Sequence, residues 1–335
     1  MYRDTAGAGY TGWMKVGTEE IGVPLLAGST FDRAPGIIAA DDTVHGAAGD
    51  YSATTISYAL GANAYNGRIS TYFYNGLWAS LWEDWVLTNR TLGKKLIYSP
   101  DGYATQSPVD TTIANVYKFN ECYVQTLRIA ADSGGAPPGS PVTFEAVLLG
   151  IGQSEKPTGA ESYPPTYEYV STIGGDANSG VNLSPVPYYR TRVTYPGFKN
   201  SKGETISCIM SWELSINNQT YPIYCANNSR EPSYIKQGKM LVEGSCTLFH
   251  PDGILTPEDS YTTEGQQTFN PARVMKIEIL DPDSAAIATF SFPVVVFTEY
   301  PHPIAAPNAP VVRTCRFRSF GTIVHPAIVL GEISS

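Results

Sequence analysis

Two stretches in the first half of the chain decide the fold, Val116-Tyr-Lys-Phe-Asn-Glu-Cys-Tyr-Val-Gln-Thr-Leu-Arg-Ile-Ala130 and Val142-Thr-Phe-Glu-Ala-Val-Leu-Leu149. Both are rich in β-branched and aromatic residues, and much of each alternates between apolar and polar positions, as in a strand with one buried face. The segment between them, Asp132-Ser-Gly-Gly-Ala-Pro-Pro-Gly139, consists mainly of turn-forming residues. We therefore predict a long β-hairpin.

The second half repeats this pattern. Strands are predicted at 206–216, 235–249, 274–280, 286–297 and 312–320, and Asp281-Pro-Asp-Ser284 is a hairpin turn between two of them. Gly238 and Gly244 interrupt the second of these stretches, where we expect β-bulges. Each half therefore contains a β unit of the size of a Greek key.

The composition agrees with a mainly β fold of the sandwich or barrel type. Only 16% of the 335 residues are charged, while the chain has 31 Gly, 25 Pro and 22 Tyr, which disfavours helical bundles. The length favours two domains. We predict an N-terminal arm at 1–20, a first β domain at 21–160, a linker at 161–200 and a second β domain at 201–335.

One helix is predicted near residues 76–87, with Asn75 as its N-cap. Its apolar residues Leu77, Trp78, Leu81, Trp82 and Trp85 form one stripe at helical spacing. We interpret Trp78, Leu81, Trp82 and Trp85 as core residues that cover a sheet. The alternative is an exposed aromatic platform for a sugar or a peptide.

Two segments with isolated large apolar residues are candidates for contacts between copies. The polar arm carries Trp13, and a predicted loop from Asp32 to Ser52 carries Ile37 and Ile38. A loop of this length in a compact domain is usually functional or disordered. We therefore expect Trp13, Ile37 and Ile38 to contact a neighbouring molecule.

The charges and motifs argue against several function classes. The net charge of −9 disfavours a basic nucleic-acid groove. We expect no enzyme, cofactor or metal site, because the sequence lacks recognisable catalytic or nucleotide-binding motifs and CxxC spacing. No apolar run reaches the length of a membrane span, and the first residues lack the basic-then-apolar pattern of a signal peptide. Arg313, Arg316 and Arg318 share one predicted strand, where they would bind phosphate or form salt bridges between subunits.

The order of these features over residues 20–330 resembles the tail tube (major tail) proteins of long-tailed bacteriophages, in the version with two tube domains per chain. The resemblance rests on loose patterns of alternating apolar residues that follow one another in the same order. They are the helix at 77–87, Phe119-Asn-Glu-Cys-Tyr-Val-Gln-Thr-Leu-Arg-Ile129, Val142-Thr-Phe-Glu-Ala-Val-Leu-Leu-Gly150, Trp212-Glu-Leu-Ser-Ile-Asn-Asn218 and Gly238-Lys-Met-Leu-Val-Glu-Gly-Ser-Cys-Thr-Leu-Phe249.

The resemblance implies a structural virion protein without an active site, assembled in the host cytoplasm and located in the phage tail. Its copies would form stacked rings. The resemblance implies other tail proteins as further partners: the tape measure, tail tip and terminator proteins. A duplicated domain implies three chains per pseudo-sixfold ring, and DNA would pass through the lumen without specific binding. The main alternative is a carbohydrate-binding or adhesin-like β-sandwich virion protein. A glycosidase or lyase would need two carboxylates about 5–10 Å apart, and no motif indicates them.

Overall fold

A computed structural model of the chain describes residues 10–18, 21–40, 57–99, 116–133, 140–153, 185–199, 208–227, 229–250, 256–257, 274–281, 283–299, 311–320 and 329–330. This part is mainly β, as predicted. Its strands are β1 (Tyr10–Val16), β2 (Ile21–Leu26), β3 (Thr30–Ala40), β4 (Ser57–Tyr72), β5 (Lys94–Ser99), β6 (Tyr117–Asp132), β7 (Thr143–Gly150), β8 (Gly152–Gln153), β9 (Thr191–Thr194), β10 (Phe198–Lys199), β11 (Ile209–Asn217), β12 (Tyr221–Ile223), β13 (Tyr234–Lys236), β14 (Leu241–His250), β15 (Thr256–Pro257), β16 (Met275–Leu280), β17 (Ala286–Phe292), β18 (Val295–Glu299), β19 (Val311–Ser319) and β20 (Val329–Leu330).

The largest sheet has 12 strands, and its pairs are antiparallel. Eight of these strands form one continuous layer in the order β3-β4-β7-β6-β11-β14-β19-β18, which we call the long sheet. The predicted hairpin is confirmed within it, because β6 pairs with β7 from Tyr123–Leu149 to Ala130–Thr143. The N-terminal part of β6 leaves this layer and pairs instead with β5, which continues to β1 and β2.

The same strand order occurs twice along the long sheet. In the first strand set, chain order β3, β4, β6, β7 gives the spatial order β3-β4-β7-β6. In the second strand set, chain order β11, β14, β18, β19 gives the spatial order β11-β14-β19-β18, in the same direction. The last strand of the first set, β6, pairs with the first strand of the second set, β11.

The outer strands repeat as well. In the first half, the single strand β6 pairs both within the long sheet and with the outer strands. In the second half, β18 belongs to the long sheet and β17 to an outer sheet, and Pro293 lies between these two strands. β5 pairs with β6 and β1 as β16 pairs with β17 and β9. The short strands β8 and β20 pair with β6 and β17 in equivalent places. This correspondence is what a duplicated unit would produce.

The core lies between the long sheet and these outer strands. Its main part is one contiguous cluster that takes residues from both halves. Trp82 packs on Phe144 of β7 with ring centroids 4.4 Å apart, and Trp78 meets Phe290 of β17 at 5.0 Å. The two halves therefore share one sheet and one core, and the division into two domains stays a prediction.

The helix is present but is not a regular α-helix. It consists of an α-helical turn at Asn75–Leu77 and two π-helical turns at Trp78–Trp82 and Asp84–Thr88. The N-cap is Tyr74 rather than Asn75, and no side chain caps the helix. All four residues predicted for the core are buried: Trp78, Leu81, Trp82 and Trp85.

Two predicted boundaries need correction. Residues 185–199 of the predicted linker belong to the folded core, where Val186, Val193 and Phe198 are buried and β9 pairs with β16. Residues 32–40 of the predicted loop lie in β3, which pairs with β4 through Ala40–Ser57. The rest of the loop, the first nine residues of the arm and residues 161–184 of the linker lie outside the described residues.

Candidate functional site

The outward side of the long sheet carries arginines and glutamates on neighbouring strands, and we call it the polar face. Strand alternation produces it: in β11, Trp212, Leu214 and Ile216 point into the core, while Glu213 and Ser215 point outward. Hydroxyl side chains lie between the charges, and the hydroxyl oxygens of Thr247 and Thr314 are 3.0 Å apart.

The arginines of this face contact glutamates of neighbouring strands. One chain of contacts links three strands of the first set, β4, β7 and β6, and continues across the junction to β11, and two further pairs lie in the second set. The pairs are Arg68–Glu145 at 2.7 Å, Arg128–Glu145 at 3.5 Å, Arg128–Glu213 at 2.7 Å, Arg316–Glu299 at 3.2 Å, and Arg318–Glu243.

The pair between Arg128 and Glu213 spans the junction of the two strand sets, because Arg128 lies on β6 and Glu213 on β11. The hydrogen bond from Arg128 lowers the pKa of the Glu213 carboxyl, and Arg316 adds a smaller electrostatic contribution. The same hydrogen bond raises the pKa of the Arg128 guanidinium. Both groups are therefore charged at neutral pH and hold each other in place.

The three arginines predicted on one strand do not act together. Arg316 and Arg318 lie on the polar face and contact Glu299 and Glu243, whereas Arg313 is buried on the opposite side of β19. Residues an odd number of positions apart point to opposite sides of a strand, so Arg313 could not join the other two. The three arginines that were expected to bind phosphate or to form salt bridges between subunits are therefore two paired surface arginines and one core arginine.

Trp13 is not exposed for a neighbouring molecule. It is only 3% exposed and packs with Ile97 and Val116 in a small cluster of the chain's own core. The reason is that residues 10–16 form β1, which pairs with β2 on one side and β5 on the other. The described part of the predicted arm is therefore a central strand.

Ile37 and Ile38 lie in strand β3 instead of a loop. Their backbones pair with Leu60 and Ala59 of β4, after a register shift between Pro35 and Ile37. The proline is accommodated because β3 pairs with a single strand among the described residues, and an edge strand tolerates a missing N–H donor. The two isoleucines therefore lie at one edge of the long sheet.

The other edge is β18, which pairs with β19 alone in the described ranges. The N–H of Phe320 donates to the carbonyl of Val294 at 3.0 Å, so the backbone of Val294 faces β19. Backbone groups alternate in direction along an antiparallel strand, so those of Val295 face away from β19. An edge strand has backbone groups with which a strand of another chain can pair.

A hairpin from the second half clasps the first half. Residues 218–240 connect β11 to β14 and contain the pair β12–β13. The amide of Asn63 on β4 donates to Glu231 at 2.7 Å, and the hydroxyl of Tyr224 donates to the carbonyl of Asn63 at 2.8 Å. We call residues 218–240 the clasp hairpin, and these contacts attach it to β4 of the first strand set.

Sequence reasoning missed most of this site. Arg68, Arg128, Glu145, Glu213, Glu243 and Glu299 were not singled out, although most occupy the polar positions of alternating strands. That alternation predicts which side they face. Which arginine meets which glutamate depends on the register between strands that are far apart in sequence.

Neither protein-family profiles nor curated protein sequences match this chain. Among the residues that the structure describes, none of the helices is long and apolar enough to cross a membrane. The same residues contain no group of three or more His, Cys, Asp or Glu side chains that could hold a metal ion. The site is therefore interpreted from its own geometry.

Proposed function

We propose that this chain is a structural virion protein whose copies polymerise into stacked rings and form the tail tube of a long-tailed bacteriophage. The observation that carries the proposal is the strand order of the long sheet. Two four-stranded sets follow each other in the same direction, and each end of the sheet has an edge strand with one partner in the described part.

The junction inside the chain suggests how two chains would meet. There, the last strand of one set, β6, pairs antiparallel with the first strand of the next, β11, over seven residue pairs. If β18 of one copy paired with β3 of another, the same kind of junction would form. The strand directions permit it, because eight alternating strands leave β3 and β18 antiparallel to one another.

Such a contact is head-to-tail, so it leads to a ring or a filament according to the rotation between copies. Three chains would supply six four-stranded sets, which agrees with the pseudo-sixfold ring of the resembling family. Closure would remove both exposed edges, which otherwise favour uncontrolled pairing. Contacts with tape measure, tail tip and terminator proteins, and a location in the virion tail, belong to the same proposal.

The charges of the polar face favour a role as a conduit for DNA over a role as an enzyme or as a DNA-binding protein. Its arginines contact glutamates, so few positive charges remain for phosphates that pass along it. DNA would move along such a face without specific binding, and no cofactor takes part. The role that we propose is mechanical.

The test is electron microscopy of the purified chain at high concentration, with a variant that blocks one edge. Val295→Pro removes an N–H that faces the free edge of β18 and retains the pairing of β18 with β19. Val295→Ala is the matched control, because it shortens the same side chain and keeps the N–H. Circular dichroism melts establish that both variants are folded.

We expect rings or tubes from the wild-type chain and from Val295→Ala, and dispersed folded subunits from Val295→Pro. Dispersed wild-type chains at every concentration, with or without an added tail-tip nucleus, would contradict the proposal. Normal tubes from folded Val295→Pro would contradict pairing between β18 and β3 of neighbouring copies. The copies would then assemble through another surface.

A second candidate is a carbohydrate-binding or adhesin-like virion protein. The observation that favours it is a set of exposed tyrosines on the clasp hairpin, of which Tyr221 is 47% and Tyr234 is 51% exposed. Their strands place Tyr221 opposite Lys236 and Tyr234 opposite Ile223. Glycan binding in an array that is lost in Tyr221→Ala/Tyr234→Ala, without self-assembly, would favour this candidate over the tube.

A further inference from the structure

The contacts on the polar face show how its arginines are occupied. In the described part of the face, each of the four arginines contacts at least one glutamate, and Arg128 contacts two. The charges balance among these eight residues, and pairs link β4, β7, β6 and β11 in turn. A row of this kind joins strands that are far apart in sequence.

The arginine–glutamate pairs of the polar face contribute little to the stability of the fold, because their side chains are exposed to solvent. The side chains of Arg68, Arg128 and Arg316 are 58%, 46% and 63% exposed in their ion pairs. Exposed ion pairs stabilise a fold little, because water and salt screen them and both side chains lose rotamer freedom. These ion pairs have a larger effect on the binding of a charged molecule than on stability. The reason is that they decide which arginine N–H groups are free to bind that molecule.

Arginine N–H groups have a strong alternative partner. The planar guanidinium matches the oxygens of phosphate as well as those of carboxylate, and it binds both in a bidentate way. A glutamate on the adjacent strand competes at high effective concentration, since it is held within hydrogen-bond distance. A passing phosphate must therefore displace a carboxylate that is already in place.

We propose that Glu145, Glu213, Glu243 and Glu299 keep the arginines of the polar face neutralised, so that duplex nucleic acid contacts this face without being retained. This inference rests on the proposed function and specifies how the conduit treats its cargo. The glutamates occupy the arginine N–H groups that would otherwise bind phosphate. Removing them would convert the face into a salt-dependent nucleic-acid binder.

The chain offers a matched control outside the face. Arg192 contacts Glu278 at 2.7 Å, on β9 and β16 of an outer sheet. Glu83 lies on the helix between its two π-helical turns, which is also outside the polar face. The variant Glu83→Gln/Glu278→Gln therefore changes the net charge by the same amount as Glu145→Gln/Glu213→Gln, but it leaves the polar face intact. Glutamine retains the size of the side chain in both variants.

The experiment measures binding of a short fluorescent DNA duplex to dispersed full-length chains by anisotropy. We expect no measurable binding by the wild-type chain or the control at about 50 mM salt, and clear binding by Glu145→Gln/Glu213→Gln. The gained affinity should fall with salt by a log–log slope of about −0.9 for each arginine–phosphate contact. Adding Arg68→Gln/Arg128→Gln to the face variant should remove most of the gain, because these are the two arginines that lose their glutamates.

A face variant that binds no better than the wild-type chain overturns the inference, as does an equal gain in the control, which would reflect net charge alone. If the first variant unfolds, DNA binding is measured instead with Glu243→Gln/Glu299→Gln, which frees Arg318 and Arg316. Electron microscopy of the same samples separates the two ideas: tubes without gained binding contradict only this inference, and gained binding without tubes contradicts only the proposed function.

Discussion

The side chain of Asn218 joins the two halves of the protein through the backbone of Val124. Asn218 lies where β11 ends, is fully buried, and donates from its amide to the carbonyl of Val124 at 3.2 Å and to that of Val86 at 3.3 Å. Its backbone N–H donates to Gln125 at 2.8 Å, and its amide oxygen accepts from Arg90 at 3.4 Å. One polar side chain thus connects the clasp hairpin, β6 and the end of the helix.

Replacing Asn218 should therefore destabilise the whole chain. Asn218→Ala leaves buried carbonyl groups and Arg90 with fewer partners, and a buried polar group that loses its partner costs about 1–3 kcal/mol. We expect a lower urea midpoint with an unchanged slope. Asn227→Ala in the exposed part of the clasp hairpin is the control, and an equal loss in both variants would contradict the role of Asn218.

The tryptophan helix provides a second prediction. Trp82 stacks on Trp85 at 5.7 Å and packs on Phe144, and the indole N–H of Trp85 donates to the carbonyl of Cys122 at 3.1 Å. Trp82→Ala should lower the free energy of unfolding by about 3–5 kcal/mol, because the cavity would lie in the shared core. Tyr189→Ala, at a position 69% exposed, should change it by less than about 0.5 kcal/mol. Unchanged stability of Trp82→Ala with loss of a bound ligand would instead indicate an aromatic platform.

The sequence predicts those parts of this structure that depend on neighbouring residues along the chain, and it fails where the structure depends on residues that are distant in sequence. Alternation within β6, β7, β11 and β19 predicts those strands and the direction of their side chains, and it places Arg128 and Glu213 outward. The identity of β3 was not predicted, because Pro35 and Gly36 read locally as a loop and the strand is specified by its pairing with β4. Trp13 was misplaced for the same reason: its burial depends on Ile97 and Val116, which are distant in sequence.

Gly244 gives a third prediction and corrects an expectation. The register of β14 runs without a shift past Gly244, so no bulge occurs there. The glycine is required by space: a Cβ at this position would lie 2.4 Å from the ring of Phe317 and 2.5 Å from the carbonyl oxygen of Glu213. Gly244→Ala should cost about 1–3 kcal/mol in a denaturant melt through overpacking. Gly152→Ala is the control, since nothing lies within 4 Å of its Cβ position, and equal melts for the two variants would refute the steric explanation.

The last prediction concerns the pH dependence of stability and uses two glutamates whose pKa values shift in opposite directions. The hydrogen bond from Arg128 lowers the pKa of Glu213 below its ordinary value of 4.5. Partial burial, with the charge of Asp84 as a second cause, raises the pKa of Glu83 above the same value. A carboxyl with a lowered pKa stabilises the fold above its unfolded-state pKa, and this contribution is lost as the pH falls through the folded-state value.

For Glu213, the stability advantage of the wild-type chain over Glu213→Gln should therefore be present at neutral pH and disappear as the pH falls from about 4.5 downward. For Glu83 the sign is reversed, because a raised pKa means that ionisation is less favourable in the folded state. The wild-type chain should lose stability relative to Glu83→Gln as the pH rises through and above 4.5. Melting temperatures of the three proteins from about pH 3 to about pH 7 measure both differences. If the advantage of the wild-type chain over Glu213→Gln did not decrease as the pH falls below about 4.5, the ion pair between Arg128 and Glu213 would not form in solution as the structure shows it.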